Sequence, residues 1–367
     1  MRIRTTFASL AVLAAFVGLA ACADETPPPQ PPPAPPPPGV TAASTAPAPA
    51  DTTAPPAAPK PSMADMIASA TKAEQDAIAA RDAQKFGALF TTDGARHLMG
   101  TPPPDEVGRD AIVAAVQRTY QIFPDFKLAV SRMWTKDNVR ITTEDWTGTD
   151  SGTGFRGAKP TGRPVGVTAV TIAVFGDDGL IKDMRIYADG ATLMQQMDAK
   201  AKAGTFRPPP TLATSFDTVA AGSPEEDGNL ALAKSFYQSL DDKKEKDVVA
   251  LASEETTADD YAAPATIKGL KGWKGMYRQY VAAFPDFKQQ PLDNQWAIGA
   301  YVVSEGVLKG TNKGAIGPFK ASGKPVALHF VDILRFKAGK IARLQTWSNG
   351  AELLAQIGAL PTPKPAQ

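Results

Sequence analysis

The sequence contains one stretch twice, and this duplication constrains the fold more than any other feature. Each copy begins with Phe-Pro-Asp-Phe, at residues 123–126 and again at 284–287, which is a separation of 161 residues. Each copy then passes through a Gly-Thr pair and a Thr/Ser-Gly-Arg/Lys-Pro-Val run. The copies close on Asp189-Gly and on Asn349-Gly, 160 residues apart. Because the spacing between matching motifs is so constant, the sequence indicates two domains of one fold. They differ by short insertions and deletions in surface loops.

Length and composition fit two domains and argue against several classes of function. The chain has 367 residues, so each repeat is long enough to bury its own core. Its 39 basic and 38 acidic residues nearly balance, which leaves no excess charge to attract nucleic acid. The sequence has two histidines, His97 and His329, and one cysteine, Cys22. We therefore expect no metal site, no redox site and no cofactor.

The N-terminus has the pattern of a secretory signal. Residues 1–21 begin with Met-Arg-Ile-Arg and continue as an apolar run that is too short to span a bilayer. They end in Leu-Ala-Ala before Cys22, which resembles the lipobox of bacterial lipoproteins, whose cysteine is lipidated. This resemblance implies a protein of the bacterial cell envelope, anchored through lipid on Cys22, and Ala23 favours the outer membrane. An ordinary cleavage site with an incidental cysteine is the alternative.

A tether would separate this anchor from the domains. Residues 22–62 are mostly Pro, Ala and Thr, a composition that favours extended polyproline II over a packed core. We interpret this segment as a spacer, with a Pro-rich ligand for a partner domain as the alternative. Residues 204–225 form a second polar linker between the repeats, and residues 361–367 form a tail.

Within each repeat, helical patterns come first and strand patterns follow. In the first domain, 63–203, apolar residues at helical spacing precede a strand-like run from Val165 to Phe175. The second domain, 226–360, repeats this order. We therefore predict an α+β fold in which helices cover one face of a curved, mostly antiparallel sheet.

Three features of the repeats resemble a known family. They are a G-R-D-A-I helix that runs into F-P-D-F, a W-x-G-T strand followed by T-G-R-P-V, and a strand that ends in D-G-x-x-L-x-x-Q. In these features each repeat resembles the SnoaL-like polyketide cyclases, or ester cyclases, of the nuclear-transport-factor-2-like superfamily. The resemblance implies two tandem cone-shaped half-barrels, each covered by about three helices and open to an apolar pocket. It also implies an aldol ring closure without cofactor, in which an aspartate acts as acid/base.

Asp189 occupies the place of the family's aspartate, directly after the last strand of the first repeat. Strand alternation puts Asp189 on the same face as Arg185 and Tyr187. Desolvation at an apolar pocket would raise the pKa of Asp189, as a general base needs. A helix N-cap is the alternative role, because Asp followed by Gly-Ala-Thr-Leu is a good cap sequence. His97 is the second catalytic candidate, with a hydrogen-bonded core histidine as the alternative.

Other residues are candidates for lining a small-molecule pocket, with core packing as the alternative for the aromatic ones: Tyr120, Trp134, Trp146, Arg185, Tyr187, His329, Asp332, Trp347 and Asn349. The second repeat departs from the family because Asn349 replaces the aspartate, and an amide cannot exchange a proton near neutral pH. His329 and Asp332 fall on opposite faces of their strand, so neither pairs with the other. We interpret the second repeat as a binding or structural copy.

Three functions are compatible with these residues. The first is a lipoprotein that binds a small apolar or carbonyl-containing molecule in the first domain, and secretion favours it. The second is a cofactor-independent cyclase or isomerase in which Asp189, with His97, moves a proton in the first domain only. The third is an assembly module, because domains of this superfamily often pair through their sheets. Such pairing would join the two repeats within one chain or form a homodimer.

Overall fold

The computed structural model describes residues 61–101, 105–155 and 158–360. Both repeats belong to a single unit that begins at Pro61. No helix within the described ranges is both long enough and apolar enough to cross a membrane. The predicted signal peptide, the predicted lipidation at Cys22 and the tail 361–367 lie outside the described residues.

The first repeat forms helices and strands in this order: α1 (Met63–Ala79), α2 (Ala83–Gly87), β1 (Phe90–Leu98), β2 (Glu106–Val107), α3 (Arg109–Ile122), β3 (Lys127–Lys136), β4 (Val139–Thr149), β5 (Pro164–Phe175), β6 (Ile181–Tyr187) and α4 (Gly190–Met197). A capping box begins α1, because the side chains of Ser62 and Asp65 each accept a hydrogen bond from the other's backbone N–H. Helix α3 ends before Pro124, which cannot donate to a helical ladder.

The linker and the second repeat continue the chain: β7 (Asp217–Ala220), α5 (Glu226–Asp241), α6 (Glu245–Ala250), β8 (Ala252–Asp260), β9 (Ile267–Lys268), α7 (Gly269–Ala283), β10 (Asn294–Ile298), β11 (Tyr301–Thr311), β12 (Pro325–Lys337), β13 (Lys340–Ser348) and α8 (Gly350–Gln356). Strand β7 lies in the segment that the sequence predicted as a plain linker. It pairs in parallel with β3 and extends the sheet of the first domain.

Each repeat has its own sheet. The strand order is β2-β1-β6-β5-β4-β3-β7 in the first domain and β10-β11-β12-β13-β8-β9 in the second. The pairs β1–β6, β8–β13 and β3–β7 are parallel, and the other pairs are antiparallel. The predicted α+β fold of two mostly antiparallel half-barrels is confirmed.

The two sheets pack face to face, so each sheet is buried on both sides. In β5, Ala173 and Phe175 pack with residues of α1 and α3, whereas Val170 and Ile172 pack against the second domain. Strand β12 alternates in the same way, and its residue Ile333 contacts the first domain. We call the space between each sheet and its own helices the interior of that domain, and the contact between the sheets the domain interface.

Tryptophans from both domains fill the domain interface. Trp134 makes an edge-on contact with Tyr301, with ring centres 5.3 Å apart. Trp347 is fully buried, and its Nε1 donates a hydrogen bond of 3.1 Å to the carbonyl oxygen of Thr168. Such aromatic packing, with the N–H of Trp347 hydrogen-bonded across the interface, stabilises the contact of the two sheets.

Candidate functional site

Asp189 lies at the domain interface, where its carboxylate caps two helices. Its Oδ1 accepts hydrogen bonds from the backbone N–H of Ala191 at 3.2 Å and from that of Gly350 in the second domain at 2.8 Å. Its Oδ2 accepts one from Thr192 at 2.8 Å. Burial raises the pKa of Asp189, while these donors oppose the rise. The structure therefore gives Asp189 the capping role and adds a second helix, from the other domain, to that role.

Asn349 repeats this arrangement from the opposite side. Its Oδ1 accepts hydrogen bonds from the N–H of Ala351 at 3.1 Å and from that of Gly190 in the first domain at 3.2 Å. Its Nδ2 donates to the carbonyl oxygen of Met99 at 3.3 Å. A reciprocal cap needs an oxygen acceptor rather than a titratable group, which explains why an amide serves here as well as a carboxylate.

Arg185 and Tyr187 face the second domain rather than a pocket in the first. Arg185 Nε and Nη2 donate to the two carboxylate oxygens of Glu305 at 2.6 and 3.1 Å. Tyr187 Oη donates to Glu305 Oε1 at 2.6 Å, and Asn294 Nδ2 donates to Oε2 at 2.8 Å. This network joins β6 to β11 across the domain interface.

The two histidines lie on strands and contact carboxylates. His97 has Nδ1 3.0 Å from Asp105 and Nε2 3.1 Å from Asp183. His329 Nδ1 lies 2.7 Å from Glu352 Oε1, and the hydrogen bond to Glu352 raises the pKa of His329. Neither histidine faces the interior of its domain. Among the described residues, no group of three or more His, Cys, Asp or Glu side chains could hold a metal ion.

The aromatic residues predicted to line a pocket lie in different places: some at the domain interface and others on the helical side of the first sheet. Trp134 and Trp347 belong to the domain interface. Trp146 faces the interior of the first domain and packs on the two phenylalanines of the Phe-Pro-Asp-Phe motif, with ring centres 5.5 Å away. Tyr120 lies on the helical side under Arg81, whose guanidinium carbon is 4.5 Å from the ring centre. The predicted residues therefore do not surround one pocket.

The interior of the first domain encloses a charged cluster that the sequence did not suggest. Glu144 Oε1 and Oε2 accept hydrogen bonds from Thr142 at 2.5 Å and Thr171 at 2.9 Å. Arg140, with no exposed side-chain surface, pairs with Glu74 at 2.6 Å. Burial, with the charge of Glu74, raises the pKa of Glu144 to about 7. All five side chains are buried, so a substrate has no access to them.

The interior of the second domain encloses a cluster with a different composition. Tyr237 Oη donates a hydrogen bond of 2.9 Å to Asp332 Oδ2, and Thr346 also hydrogen-bonds Asp332. Asp260 ends β8 beside Thr346, and its negative charge acts on both Asp332 and Tyr280. Burial raises the pKa of Asp332 and of Asp260, each to about 6. Two neighbouring carboxyl groups thus titrate near neutrality inside this domain.

The second cluster keeps some accessible surface where the first has almost none. Asp260, Tyr280 and Thr346 are each partly exposed, whereas Asp332 and Tyr237 are buried. The loop directly after Asp260 forms one wall of a cavity of about 290 Å³ between the domains. Asp189 and residues 207–210 of the linker line the same cavity. Asp189 therefore does line a cavity, but one between the domains.

Sequence reasoning missed Asp260, Tyr237 and the cluster around Glu144. The available signal was the alternation of strand residues between the two faces of a sheet. Asp332 lies among buried apolar residues of β12, and Asp260 follows Asp259 at the end of β8. Two adjacent aspartates at a strand end point to opposite faces, so one of them must face the interior. Without the fold, nothing showed which face that was.

Each repeat is an α+β half-barrel that encloses polar groups between its helices and its sheet. The sequence profile of the SnoaL-like polyketide cyclases matches residues 68–197 and 231–357, which is most of both repeats. The chain therefore belongs to the SnoaL-like polyketide cyclase family. A comparison with curated proteins finds no match.

Solved structures similar to this chain each correspond to one repeat. A hypothetical protein of Catenulispora acidiphila with a ketosteroid isomerase-like fold, in complex with trimethylamine, is 22% identical, covers 39% of this chain and 100% of its own, and has a TM-score of 0.32. TsrD of Streptomyces laurentii is 20% identical, with coverages of 38% and 100% and a TM-score of 0.34. An LEH-like epoxide hydrolase of M. tuberculosis is 13% identical, with coverages of 37% and 93% and a TM-score of 0.31.

Proposed function

We propose that the second domain binds a small carbonyl compound and moves a proton on it without a cofactor, as a cyclase or isomerase does. The observation that carries this proposal is the hydrogen bond from Tyr237 to Asp332, 2.9 Å long, inside the domain and beside a second carboxyl group, Asp260. Neighbouring titratable groups whose pKa values lie near neutrality are a mark of acid–base sites.

The two carboxyl groups have different surroundings, and these suggest different roles. Asp332 is held by Tyr237 and Thr346, so in its protonated form it is oriented to donate to a carbonyl oxygen. Asp260 has one hydrogen bond from its own loop, the N–H of Ala262 at 2.9 Å, and keeps accessible surface. It is the better base for a proton on the carbon next to that carbonyl. Two neighbouring carboxylates repel each other, so the Asp260–Asp332 pair tends to hold one proton near pH 6. One carboxyl group is then protonated while the other is ionised.

This proposal moves the chemistry from the first domain to the second. Asp189 holds the N-termini of two helices, which leaves it poorly placed to take a proton from a ligand. Glu144 has a raised pKa but is buried among protein groups. The second domain, interpreted from its sequence as a binding or structural copy, has in Asp260 a titratable group that keeps accessible surface, next to the buried Asp332.

Replacing Asp260 by asparagine is expected to slow α-proton exchange of small ketones by about 100-fold or more, because removing a general base typically costs 10²–10⁴ in rate. The probes are cyclohexanone, acetoacetate and cyclohex-3-enone in D₂O. Proton NMR follows loss of the α-proton signals, and for the enone also isomerisation to the conjugated product.

The matched control is Asp189→Asn, which keeps an oxygen acceptor for the capped helices. It should retain exchange, with the acid limb of the pH profile at lower pH because a charge that raises the pKa of Asp260 is lost, and circular dichroism should show both variants folded. The acid–base proposal fails if the unmodified protein exchanges none of the three probes faster than Asp260→Asn does. It also fails if Asp189→Asn alone abolishes exchange.

Binding without turnover is a second candidate, favoured by the cavity between the domains. At about 290 Å³ this cavity is at the lower end of the range for ligand sites, and Tyr261 and prolines of the linker give it apolar walls. A small apolar molecule with a carbonyl group fits this lining. A thermal shift with the same ketones that persists in Asp260→Asn, without exchange, would favour this function.

We also propose that the chain is a lipoprotein of the bacterial cell envelope, held in the outer membrane through Cys22. The support is the Leu-Ala-Ala-Cys sequence at the end of an apolar N-terminal run. Replacing Cys22 by serine in full-length protein expressed in a bacterial host should abolish incorporation of labelled fatty acid and release the protein from membranes. Label retained on the serine variant would contradict lipidation at this position.

A further inference from the structure

The linker contributes one arginine that holds the loop after Asp260. Arg207 Nη2 donates to the carbonyl oxygen of Asp260 at 3.1 Å, and its Nε donates to that of Ala263 at 3.1 Å. Its guanidinium carbon lies 4.8 Å from the ring centre of Tyr261. One side chain thus fixes both ends of the loop 260–263 and the ring between them.

Arg207 is in turn fixed to the first domain. Its carbonyl oxygen accepts a hydrogen bond of 2.9 Å from Gln196 Nε2, and Gln196 exchanges two hydrogen bonds of 2.8 Å with the backbone of Gly166. On the other side of the loop, Tyr261 stacks on Trp347 with ring centres 4.3 Å apart. The loop is therefore held between a linker anchored in the first domain and the sheet of the second.

We propose that Arg207 is a positioning residue for the reaction in the second domain, so that the first domain, through its linker, completes the site. This inference rests on the proposed role of Asp260 as the base. The planar guanidinium fork can hold two carbonyl oxygens at fixed separation, which a lysine cannot do. Because the Asp260 carboxylate is bonded to the same loop through the Ala262 N–H, fixing the loop fixes the carboxylate.

Charge gives Arg207 a second effect on the same residue. The groups that face Asp260 are Asp189 at the start of α4, Asp332 on β12, Tyr280 on α7 and Arg207 in the linker. Of these, Arg207 is the cation. Its charge lowers the pKa of Asp260, against the larger effect of burial, and so keeps the base available near neutral pH.

The test measures the pKa of Asp260 directly, in full-length protein with ¹³C-labelled aspartate carboxyl groups. Arg207→Ala should raise this pKa by about 1 unit, because an opposite charge that favoured ionisation is lost. Arg207→Lys should leave the pKa close to that of the unmodified protein but shift the backbone amide signals of residues 260–263. If alanine prevents folding, Arg207→Gln, which removes the charge and keeps one N–H₂ donor, replaces it in the comparison with lysine.

Arg343→Ala is the matched control, because Arg343 pairs with the adjacent Asp259 at 2.6 Å, whereas Arg207 lies 3.8 Å from Asp259. It should move the Asp260 pKa less than Arg207→Ala does, because no hydrogen bond joins Arg343 to the loop 260–263 among the described residues. The inference is overturned if Arg207→Ala and Arg207→Gln leave the Asp260 pKa unmoved, or if Arg343→Ala moves it equally. The titration needs no substrate, so its outcome is separate from that of ketone exchange. Where ketone exchange is measurable, the acid limb of its pH–rate profile in Arg207→Ala should move to higher pH together with the Asp260 pKa.

Discussion

Replacing Arg185 by alanine is expected to lower the free energy of unfolding by about 3–5 kcal/mol, because it leaves a buried carboxylate without its counter-charge. The Glu305 side chain is 3% exposed, and both its oxygens bind the guanidinium, at 2.6 and 3.1 Å. Tyr187 and Asn294 would still donate to Glu305, but neutral donors do not neutralise its charge. Urea unfolding followed by circular dichroism measures the loss.

The double variant Arg185→Ala with Glu305→Gln should recover most of this loss, since no buried charge is then unpaired. Arg278→Ala is the matched control: Arg278 also binds a glutamate, Glu245, through two hydrogen bonds of 2.8 and 3.0 Å, but on the surface. It should change stability much less than Arg185→Ala does, because water screens an exposed ion pair. Equal losses in Arg185→Ala and Arg278→Ala would mean that the network at the domain interface contributes nothing beyond a surface ion pair.

The duplication and the α+β order could be predicted because both depend on local sequence pattern. Period-two alternation in β6 correctly separated Arg185 and Tyr187 from Met184 and Ile186. It could not assign either face to the interior, because both faces of the sheet are buried. The near-continuous burial of β5 is typical of strands covered on both sides, and its run of Val, Thr and Ile was the available signal.

The capping of α8 by Asp189 shows what sequence alone could not supply. The Asp-Gly-Ala-Thr-Leu stretch predicted a cap for the following helix, which is a contact between neighbours in the chain. The second capped helix begins at Gly350, 161 residues further on. Only the packing of one domain on the other brings Asp189 and the start of α8 together, so no local sequence pattern could indicate this contact.

The site of the second domain was missed for a related reason. Replacement of the family's aspartate by Asn349 suggested that this domain had lost its acid/base group. The structure places both equivalent positions, Asp189 and Asn349, in reciprocal caps, so their difference does not bear on the interior. Of the groups that do face the interior, Asp332 was a candidate for lining a pocket, whereas Asp260 ends a polar strand whose sequence does not show which face is covered.

The pH dependence of stability provides a separate test of the buried cluster in the first domain. Glu144 has a folded-state pKa raised to about 7 from 4.5 by burial, and by the charge of Glu74. Between these pH values the folded state binds more protons at Glu144 than the unfolded state does. The contribution of Glu144 to stability must therefore fall as pH rises from about 4.5 to about 7, and its full cost is present above pH 7. This difference between the folded-state and unfolded-state pKa of Glu144 corresponds to roughly 3 kcal/mol in the free energy of unfolding.

Replacing Glu144 by glutamine should remove this cost, because the amide is neutral at every pH and its oxygen can still accept from Thr142 or Thr171. We expect the variant to match the unmodified protein near pH 4.5 and to exceed it by about 1–3 kcal/mol at pH 8. Urea unfolding at a series of pH values measures both curves. Glu255→Gln, at an exposed position of β8, controls for a simple change of net charge. If the glutamine variant were less stable at pH 8 but not near pH 4.5, Glu144 would have to be ionised in the folded state and stabilised by Arg140, because a lost hydrogen bond would act at both pH values.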